Sequence, residues 1–257
     1  MQQEFGGTRR LYSEKGVERL TNSKVLVIGI GGVGSWVAEA LARSAVGHIV
    51  LLDLDDICVS NTNRQVHTLS NTVGQLKVDA MAERLKLINP ACQITIIADF
   101  VNRDNLAEMI TDDLDYVVDA IDNARVKAAI IKHCKRNKIK IITVGGAGAQ
   151  VDPLKIQVSD LSRTWQDPLS AKVRNELRRN HGFSKNPKRR FGVECVYSTE
   201  QLLYPNSDGT VDYQKNSGEI AGKLDCAQGL GASVVVTATF AMVASSRVIN
   251  WLANNEK

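Results

Sequence analysis

The segment VLVIGIGGVGSWVAEALA, residues 25–42, restricts the fold of this chain more than any other part of the sequence. A β-branched apolar run leads into Gly29, Gly31 and Gly34, which have the spacing G-x-G-x-x-G, and Gly32 lies between them. Glycines at such a junction permit a tight turn, and they let phosphate oxygens approach backbone N–H groups at the positive end of a helix. The segment therefore predicts a strand, a phosphate-binding loop and a helix in succession.

Apolar strand patterns and helical patterns alternate through the first part of the chain. Strands are predicted at residues 25–30, 48–53, 93–98, 116–121 and 140–144, and helices at 35–45, 77–88, 102–111 and 124–137. Asp122 or Asn123 is placed to cap the last of these helices. Alternating helices and buried strands are typical of a doubly wound, mostly parallel Rossmann-like α/β sheet.

The pattern changes after Gly145, and the remaining chain is interpreted as a C-terminal elaboration of the sheet. It predicts a further strand at 156–159, a basic helix at 167–180, a charged loop at 185–190 and a turn at 206–209. We expect a nucleotide-binding part over residues 1–150 and a substrate-binding and dimerisation part over residues 151–257, within one globular unit.

Composition restricts the class of protein only mildly. With 257 residues, 44% of them hydrophobic, the chain is long enough for one large α/β domain, and its net charge of +4 hints at an anionic partner. The five cysteines include no C-x-x-C pair, which argues against a disulfide framework and against a stable zinc site. The N-terminal stretch MQQEFGGTRR lacks the apolar region of a signal peptide, so we expect a cytoplasmic protein.

Residues 231–252 are largely apolar, and their uncharged run approaches the length of a membrane span. The segment also contains Thr237, Thr239, Ser245 and Arg247, which are less typical of such a span. We therefore favour a buried core helix or a dimer-interface helix over association with a membrane.

Polar side chains follow the second predicted strand and discriminate between nucleotide types. Asp53 lies nineteen residues beyond Gly34, where a carboxylate accepts hydrogen bonds from ribose hydroxyls. A dehydrogenase needs an apolar slot for nicotinamide, but charged and amide side chains follow here. The polar residues of this segment are Asp55, Asn61, Asn63, Arg64 and Gln65, and its fixed cation and amides suit the phosphates of an adenosine nucleotide. Arg64 can grip phosphate with a planar, bidentate fork, which argues for ATP over NAD or FAD.

Two further residues complete this series. Lys77 begins a predicted helix and is placed to reach another phosphate oxygen. Asp122 lies just past the fourth strand, near the edge of the sheet where ligands bind. Since a carboxylate repels a triphosphate unless a cation lies between them, Asp122 predicts Mg²⁺ bound through the ATP phosphates. Each residue alone also fits a structural role, as an ion pair, a helix start or a helix cap, but the ordered series is more specific.

Five blocks of the sequence, GIGGVGS, DLD, SNTNRQ, VGQLK and DAID, occur in order and resemble the E1-like superfamily. The resemblance covers about residues 9–148, and members of that superfamily activate carboxylates as acyl-adenylates with ATP. It implies the E1-like fold and a homodimer. It also implies that an N-terminal arginine of one subunit, Arg9 or the neighbouring Arg10, completes the site of the other.

The same resemblance implies roles for the residues of the series. It implies that Arg64, Lys77 and Asp122 bind the ATP phosphates and Mg²⁺. Asp53 resembles the ribose ligand, and Asn61 lies beside the phosphates. The complete set of residues expected to bind the nucleotide is Gly29, Gly31, Gly32, Gly34, Asp53, Asp55, Asn61, Arg64, Gln65 and Lys77.

Within the superfamily, the chain differs from the sulfur-carrier adenylyltransferases, which typically carry two C-x-x-C pairs for zinc. The segments FGGTRRLY, SNTNRQVH, GGAGAQVDP, STEQLLYP and LDCAQGLGAS instead resemble the tRNA threonylcarbamoyladenosine dehydratases over nearly the whole chain. This implies ATP-dependent cyclisation of the threonylcarbamoyl group on adenosine 37 of certain tRNAs, by adenylation of its carboxylate. The alternative is an adenylyltransferase for the C-terminal Gly-Gly of a small sulfur-carrier protein. A non-catalytic nucleotide-sensing module and a dehydrogenase are the remaining alternatives.

Several features stay open at this point. Cys226 precedes a predicted helix, where a thiolate is stabilised, and is a candidate nucleophile; a small buried side chain is the alternative. Cys195 is a second candidate. Intramolecular attack on the adenylate needs mostly positioning, so a protein nucleophile is optional. A sulfur-transfer protein partner and a monovalent cation are likewise open.

A dense basic region favours contact with the tRNA backbone over a merely solvated surface. The residues that we assign to this contact are Arg174, Arg178, Lys188, Arg189 and Arg190. Unpaired anticodon bases stack on aromatic side chains, and the candidates nearby are Trp165, Phe183 and Phe191.

Overall fold

A seven-stranded sheet forms the centre of the protein, for which the computed structural model describes residues 4–206, 208–214 and 230–255. Its strands are β1 (Lys24–Ile28), β2 (His48–Leu52), β3 (Gln93–Ile97), β4 (Tyr116–Asp119), β5 (Lys140–Val144), β6 (Ile156–Asp160) and β7 (Glu194–Ser198). They lie in the order β3-β2-β1-β4-β5-β7-β6, and β6 alone in this sheet runs antiparallel to its neighbour. A short hairpin of β8 (Tyr204–Pro205) and β9 (Val211–Asp212) is separate from it. The predicted doubly wound, mostly parallel α/β sheet is confirmed.

Helices cover both faces of the sheet. Within the described ranges they are α1 (Gly6–Thr21), α2 (Gly34–Arg43), α3 (Lys77–Ile88), α4 (Leu106–Met109), α5 (Ala124–Arg136), α6 (Pro168–Asn180) and α7 (Val234–Asn254). Val25 and Val27 of β1 belong to a core layer with α2, α3 and α7, whereas Leu26 and Ile28 belong to a layer with α5 and α6. Because successive side chains alternate between two buried faces, the strands have continuous apolar sequences.

The order of the strands places a crevice at the carboxyl ends of β1 and β4. From β1 the chain winds outward through β2 and β3, and it then returns to β4 on the other side of β1. Ligands of open α/β sheets bind at such a switch point. The glycine loop follows β1 and residues 120–123 follow β4, so both line this crevice.

Most predicted elements lie close to their expected bounds, but one prediction is wrong in length. Of residues 102–111, only Leu106–Met109 is helical. The side chains of Asn102 and Asn105 accept hydrogen bonds from nearby backbone N–H groups and hold the preceding residues in a turn instead. The sequence-based prediction also lacks α1, and it lacks β7, which is inserted between β5 and β6.

Residues beyond 150 contribute to the same sheet and to the same core. β7 pairs with β5, and β6 pairs with β7. α7 packs against α1, α2 and β5. The division of labour near residue 150, between a nucleotide-binding part and a substrate-binding part, stays a prediction.

α7 corresponds to the apolar segment 231–252. One side of it is buried in the core, with Val236, Phe240, Ala244 and Val248 packed against the sheet layer. By length and composition alone, α7 is the one helix of the described chain that is long and apolar enough to cross a membrane, and 44% of its apolar window is buried in the protein. The core-helix interpretation accounts for the buried side.

Asp160 ties the end of β6 to the chain that enters β7. Its Oδ1 accepts a hydrogen bond from Phe191 N at 3.0 Å, and its Oδ2 accepts one from Gly192 N at 2.7 Å. Burial alone would raise the pKa of this carboxyl, but the hydrogen bonds from Ser162 and from the backbone outweigh burial and lower the pKa below its usual value. The ionised carboxylate therefore stabilises the fold.

Replacement of this carboxylate tests that conclusion. We expect Asp160→Asn to lower the free energy of unfolding by about 1–2 kcal/mol at neutral pH, because charge-assisted hydrogen bonds are lost. Since the folded-state pKa is depressed, the carboxylate's contribution is fully present above the unfolded-state pKa of about 3.9, and it is lost as pH falls through the folded-state pKa. Urea unfolding at several pH values measures this difference, with the exposed Asp112→Asn as the control. A difference that stays constant into strong acid would contradict the account.

Candidate active site

At two positions of the loop between β1 and α2, close contacts with neighbouring atoms make glycine necessary. Gly29 has a φ of +86°, and a Cβ there would lie 3.0 Å from Ile121 Cγ2 and 3.1 Å from Ala120 O. A Cβ on Gly34 would lie 1.8 Å from the carbonyl oxygen of Gly29. The first turn of α2 therefore packs directly on the end of β1; no side chain fits at Gly34, and a side chain at Gly29 would be strained.

Gly31, in contrast, faces open space. A Cβ on Gly31 would meet no atom of the described residues within 4 Å. α2 begins after Val33, whose apolar side chain cannot cap the N–H groups of the first turn. The helix thus presents backbone N–H groups and the positive end of its dipole at the open side of the loop, and this arrangement fits a phosphate group.

Asp53 holds the glycine loop against the end of β2. Its Oδ2 accepts a hydrogen bond from Ile30 N at 2.6 Å, and its Oδ1 accepts one from Asp55 N at 2.9 Å. Each carboxylate oxygen can accept more than one hydrogen bond, so these contacts leave capacity for a ribose hydroxyl.

The segment that carries Arg64 is docked on α2. Trp36 Nε1 donates to Arg64 O at 3.0 Å, and Val66 N donates to Ser35 Oγ at 3.4 Å. The aliphatic part of the Arg64 side chain lies over Gly32, where an added Cβ would come within 3.3 Å of it. The half-exposed guanidinium is therefore held beside the glycine loop.

Neighbouring groups orient the Arg64 guanidinium. Its Nη1 donates to Ser60 O at 2.8 Å and to Asn63 Oδ1 at 3.0 Å. Asn63 in turn donates from Nδ2 to Ala232 O at 2.8 Å, which connects this turn to the chain that precedes α7. These two bonds occupy Nη1. A guanidinium has five N–H donors, so those on Nε and Nη2 remain for a bidentate contact with a phosphate.

Asn61 and Gln65 belong to the same turn and are both buried. Asn61 Oδ1 accepts from Cys58 N at 3.0 Å, so its NH₂ group is the part directed at other partners. Gln65 Oε1 has no hydrogen-bond partner among the residues that the structure describes.

His67 is a buried residue of this region that was not predicted from the sequence. Burial, together with the nearby charges of Lys77 and Arg84, lowers its pKa to about 4, so the ring is neutral at pH 7.

Lys77 is paired with Asp55 at the start of α3. Its Nζ lies 2.7 Å from Asp55 Oδ2, and its backbone N–H donates to Asp55 O at 3.0 Å. Because Asp55 N also donates to Asp53, the ion pair fixes Lys77 relative to the expected ribose position. A phosphate that binds here competes with Asp55 for the ammonium group.

Asp122 is exposed at the β4 side of the crevice. Asn123, and not Asp122, caps α5, because its side chain accepts from Arg125 N and Val126 N. The carboxylate of Asp122 is thereby left free of the capping role, next to Ile121, which contacts the glycine loop. A single carboxylate in this place fits Mg²⁺ that is held mainly by phosphate oxygens.

Asp119 ends β4 but is fully buried, so it does not face the crevice. Its Oδ1 lies 3.0 Å from Lys127 Nζ, and its Oδ2 accepts from Thr143 Oγ1 at 2.7 Å. Lys127 is absent from the sequence-based prediction of the site. The signal for it is a lysine in the buried stripe of α5, at helical spacing with Ile131 and Cys134.

Of the remaining candidates, Arg9 and Cys195 lie away from the glycine loop. Arg9 lies on α1, where its Nε is 2.9 Å from Glu14 Oε2, beside a cavity of about 220 Å³. Cys226 lies outside the described residues. Cys195 is buried in β7, and burial raises its pKa to about 12, so this thiol is neutral at pH 7 and does not fit a nucleophile.

The predicted basic region divides into two parts. Arg174 and Arg178 of α6 are half-buried; the first donates to Thr164 Oγ1, and the second lies 5.4 Å from the centre of the Phe191 ring. Their contacts are within the protein, which makes them poor candidates for tRNA. The exposed part, here named the basic loop, consists of Lys188, Arg189 and Arg190.

The aromatic candidates for base stacking also differ in exposure. Phe183 and Phe191 pack edge to face with ring centres 5.0 Å apart, against the core layer of α5 and α6. Phe191 is buried and therefore unavailable to a base. Trp165 is 54% exposed.

Known proteins resemble this chain along almost its whole length. The model of the ThiF family matches residues 7–257. A tRNA threonylcarbamoyladenosine dehydratase of Escherichia coli is 53% identical over 247 residues, which are 96% of this chain and 92% of that protein. One of Haemophilus influenzae is 51% identical over 252 residues, which are 98% of this chain and 94% of that protein. A crystal structure of the E. coli enzyme in complex with ATP matches with a TM-score of 0.87 and 48% identity, over 98% of this chain and 94% of that chain.

Two alanine substitutions in the glycine loop separate ligand binding from folding. We expect Gly31→Ala to unfold at the wild-type temperature but to bind ATP at least about tenfold more weakly, because its methyl group occupies the open side of the loop. We expect Gly34→Ala to unfold at a lower temperature, because its methyl group collides with the Gly29 carbonyl. Calorimetric titration with ATP and thermal unfolding measure both effects. Wild-type affinity in Gly31→Ala would refute the phosphate assignment.

Proposed function

Because the chain belongs to the ThiF family, we propose that it is an ATP-dependent tRNA threonylcarbamoyladenosine dehydratase. It converts the threonylcarbamoyl group on adenosine 37 of tRNA into a ring, with loss of water. The observation that carries the proposal is the similarity to named dehydratases on both sides of residue 150, so that it includes the glycine loop and the C-terminal part alike.

The proposed reaction has two steps. An oxygen of the threonyl carboxylate attacks the α-phosphorus of ATP, which forms an acyl-adenylate and releases pyrophosphate. The carbamoyl oxygen then attacks the activated carbonyl carbon and closes an oxazolone ring. The bond between this carbon and AMP breaks, and the carbamoyl nitrogen loses its proton. Because this second attack is intramolecular, positioning supplies most of the catalysis, and Cys226 is not required as a nucleophile.

The chain supplies positive groups where phosphate charge increases in the first step. The N–H groups around Gly31 cradle one phosphate, and Arg64 and Lys77 stabilise the charge that develops on the α-phosphate and on pyrophosphate. Asp53 accepts from the ribose, and Asn61 donates to the phosphates. The residues that shape the site around these groups are Gly29, Gly32, Gly34, Asp55 and Gln65.

Asp122 is the residue proposed to hold Mg²⁺ through the ATP phosphates. When bound, Mg²⁺ neutralises phosphate oxygens and so lowers the repulsion that the attacking carboxylate meets. The support for this role is the exposed Asp122 carboxylate, which the neighbouring Asn123 releases from capping α5.

The proposed enzyme is a cytoplasmic homodimer in which Arg9 of one subunit reaches the ATP of the other. The support is the surface of α1 and α7, where apolar Leu11, Val235 and Met242 are exposed. Apolar surface of this kind favours association of subunits. The ion pair of Arg9 with Glu14 opens when the arginine reaches across.

The basic loop and Trp165 are proposed to bind the anticodon arm. Arg163 donates from Nη2 to Lys188 O at 3.1 Å, so the chain that carries Trp165 lies next to the basic loop. Cations contact the phosphates of the arm, and the exposed indole ring is available to an unpaired base. The division near residue 150 then separates ATP binding from tRNA binding.

Mass spectrometry of the tRNA nucleosides tests the proposal. Incubation of threonylcarbamoyl-modified tRNA with ATP and the protein is expected to convert the modified nucleoside to a product lighter by one water, with AMP and pyrophosphate released in equal amounts. We expect Arg64→Ala to lower kcat/KM by about 10²-fold or more. Arg136→Ala, an exposed arginine at the far end of α5, is the matched control with no expected change. Unchanged tRNA would refute the dehydratase, and ATP–pyrophosphate exchange stimulated only by a Gly-Gly carrier protein would favour the adenylyltransferase.

Salt dependence of tRNA affinity tests the basic loop. The triple variant Lys188→Ala/Arg189→Ala/Arg190→Ala is expected to reduce the slope of log affinity against log salt by about two to three, because each lost phosphate contact removes about 0.7–0.9. The control removes the same charge elsewhere, with Lys15→Ala/Arg103→Ala/Arg136→Ala. Equal slopes for the two triple variants would rule out a specific role for the basic loop.

A further inference from the structure

Lys127 is a charged side chain inside the core, with 1% of its surface exposed. It lies on the first full turn of α5, behind the crevice that the glycine loop and residues 120–123 form. Its ammonium group donates three hydrogen bonds to a single turn of chain: to Asp119 Oδ1 at 3.0 Å, to Asp119 O at 3.2 Å and to Ile121 O at 2.9 Å. An ammonium group has three N–H donors, so all of them are used on this turn.

Asp119 closes the same turn from the other side. Its Oδ2 accepts from Thr143 Oγ1 at 2.7 Å on the neighbouring strand β5, and its Oδ1 accepts from Ile121 N at 3.4 Å. Lys127 and Asp119 are thus a buried ion pair that fixes the carbonyls of two residues on the way from β4 to α5. The backbone of this turn has little freedom to move relative to the sheet.

The fixed turn forms one wall of the crevice and ends at Asp122. Gly29 packs against Ala120 and Ile121, so the position of the turn also sets the position of the glycine loop. Asp122 follows Ile121 directly, and Asn123 then caps α5. A carboxylate on an exposed chain has many orientations, but here the residues on both sides of Asp122 are anchored.

We propose that Lys127 is a positioning residue, which aims Asp122 at Mg²⁺·ATP by holding the turn that precedes it. The inference rests on the proposed role of Asp122. A structural role alone does not explain the choice of side chains, because well-packed apolar residues stabilise a core at least as well as a buried ion pair does. The pair supplies instead three directed donors at a turn that adjoins the nucleotide, where apolar side chains supply none.

The test measures the Mg²⁺-dependent part of ATP affinity. Calorimetric titration gives the affinity for ATP with Mg²⁺ and with EDTA. The first affinity divided by the second is the Mg²⁺ ratio, which measures how well Asp122 is positioned to bind the ion. We expect Lys127→Met to reduce this ratio by about 10–100-fold, the usual effect of losing support behind a metal-binding residue. The affinity with EDTA and the KM for tRNA are expected to change little, because Asp53 and the packing of Gly34 on Gly29 also hold the glycine loop and the basic loop is untouched.

A neutral double variant separates positioning from stability. Lys127→Met alone leaves Asp119 buried without its partner and is expected to lower the unfolding temperature. Asp119→Asn/Lys127→Met removes both charges, so it is expected to recover much of the stability while the Mg²⁺ ratio stays low, because the Ile121 carbonyl still lacks its donor. If Lys127→Met does not fold, the double variant carries the test. Recovery of the ratio together with stability would overturn the proposal.

Two further variants complete the design. Glu39→Gln disrupts another buried ion pair, formed with Arg43 and Arg84, and is expected to lower stability with an unchanged Mg²⁺ ratio. Asp122→Asn is expected to lower the ratio of ATP affinity with Mg²⁺ to ATP affinity with EDTA, while the unfolding temperature stays at the wild-type value. If Asp122→Asn keeps the wild-type ratio, the proposed role of Asp122 fails and the inference fails with it. If Asp122→Asn lowers this ratio and Lys127→Met leaves it at the wild-type value, the role of Asp122 stands and only the inference about Lys127 fails.

Discussion

The packing of Gly34 on the carbonyl oxygen of Gly29 is the constraint on which the rest of the site depends. It brings the first turn of α2 onto the end of β1 so closely that no side chain fits between them. As a consequence, the positive end of α2 and the open side of Gly31 meet at the crevice between β1 and β4. The other groups that we assign to the nucleotide are arranged around this contact.

Those groups come from separate connections of the sheet, and each is held by a contact to the scaffold. Asp53 is bound to the glycine loop through Ile30 N, and the turn that carries Arg64 is bound to α2 through Trp36. Asp122 follows a turn that is anchored from behind by Lys127. Flexible side chains thereby gain defined positions, and preorganised charge of this kind stabilises a developing phosphate charge without a large reorganisation of the protein.

Local pattern accounts for the parts of this structure that are predictable from sequence, and long-range packing accounts for the rest. The glycine loop and the patterns of β1 to β6 are local, so both are predicted well, whereas β7 is missed. α1 escapes prediction because it is broken at Ser13, with a φ of 67°, and has a weak apolar pattern. The pairing of Lys127 with Asp119 depends on how α5 lies on the sheet, and the stacking of the half-buried Arg178 over Phe191 depends on tertiary packing. A charge pattern alone does not distinguish arginines that contact other parts of the protein from the exposed basic loop.

The central claim is that the threonyl carboxylate becomes an adenylate, and isotope transfer tests it most directly. The substrate is tRNA whose threonylcarbamoyl carboxylate carries ¹⁸O in both oxygens, incubated with unlabelled ATP, unlabelled water and the protein. Because the carboxylate oxygen that attacks the α-phosphorus leaves with it, the account predicts AMP that carries one ¹⁸O atom and pyrophosphate that carries none. Unlabelled AMP, formed together with the cyclised nucleoside, would contradict adenylation of the carboxylate.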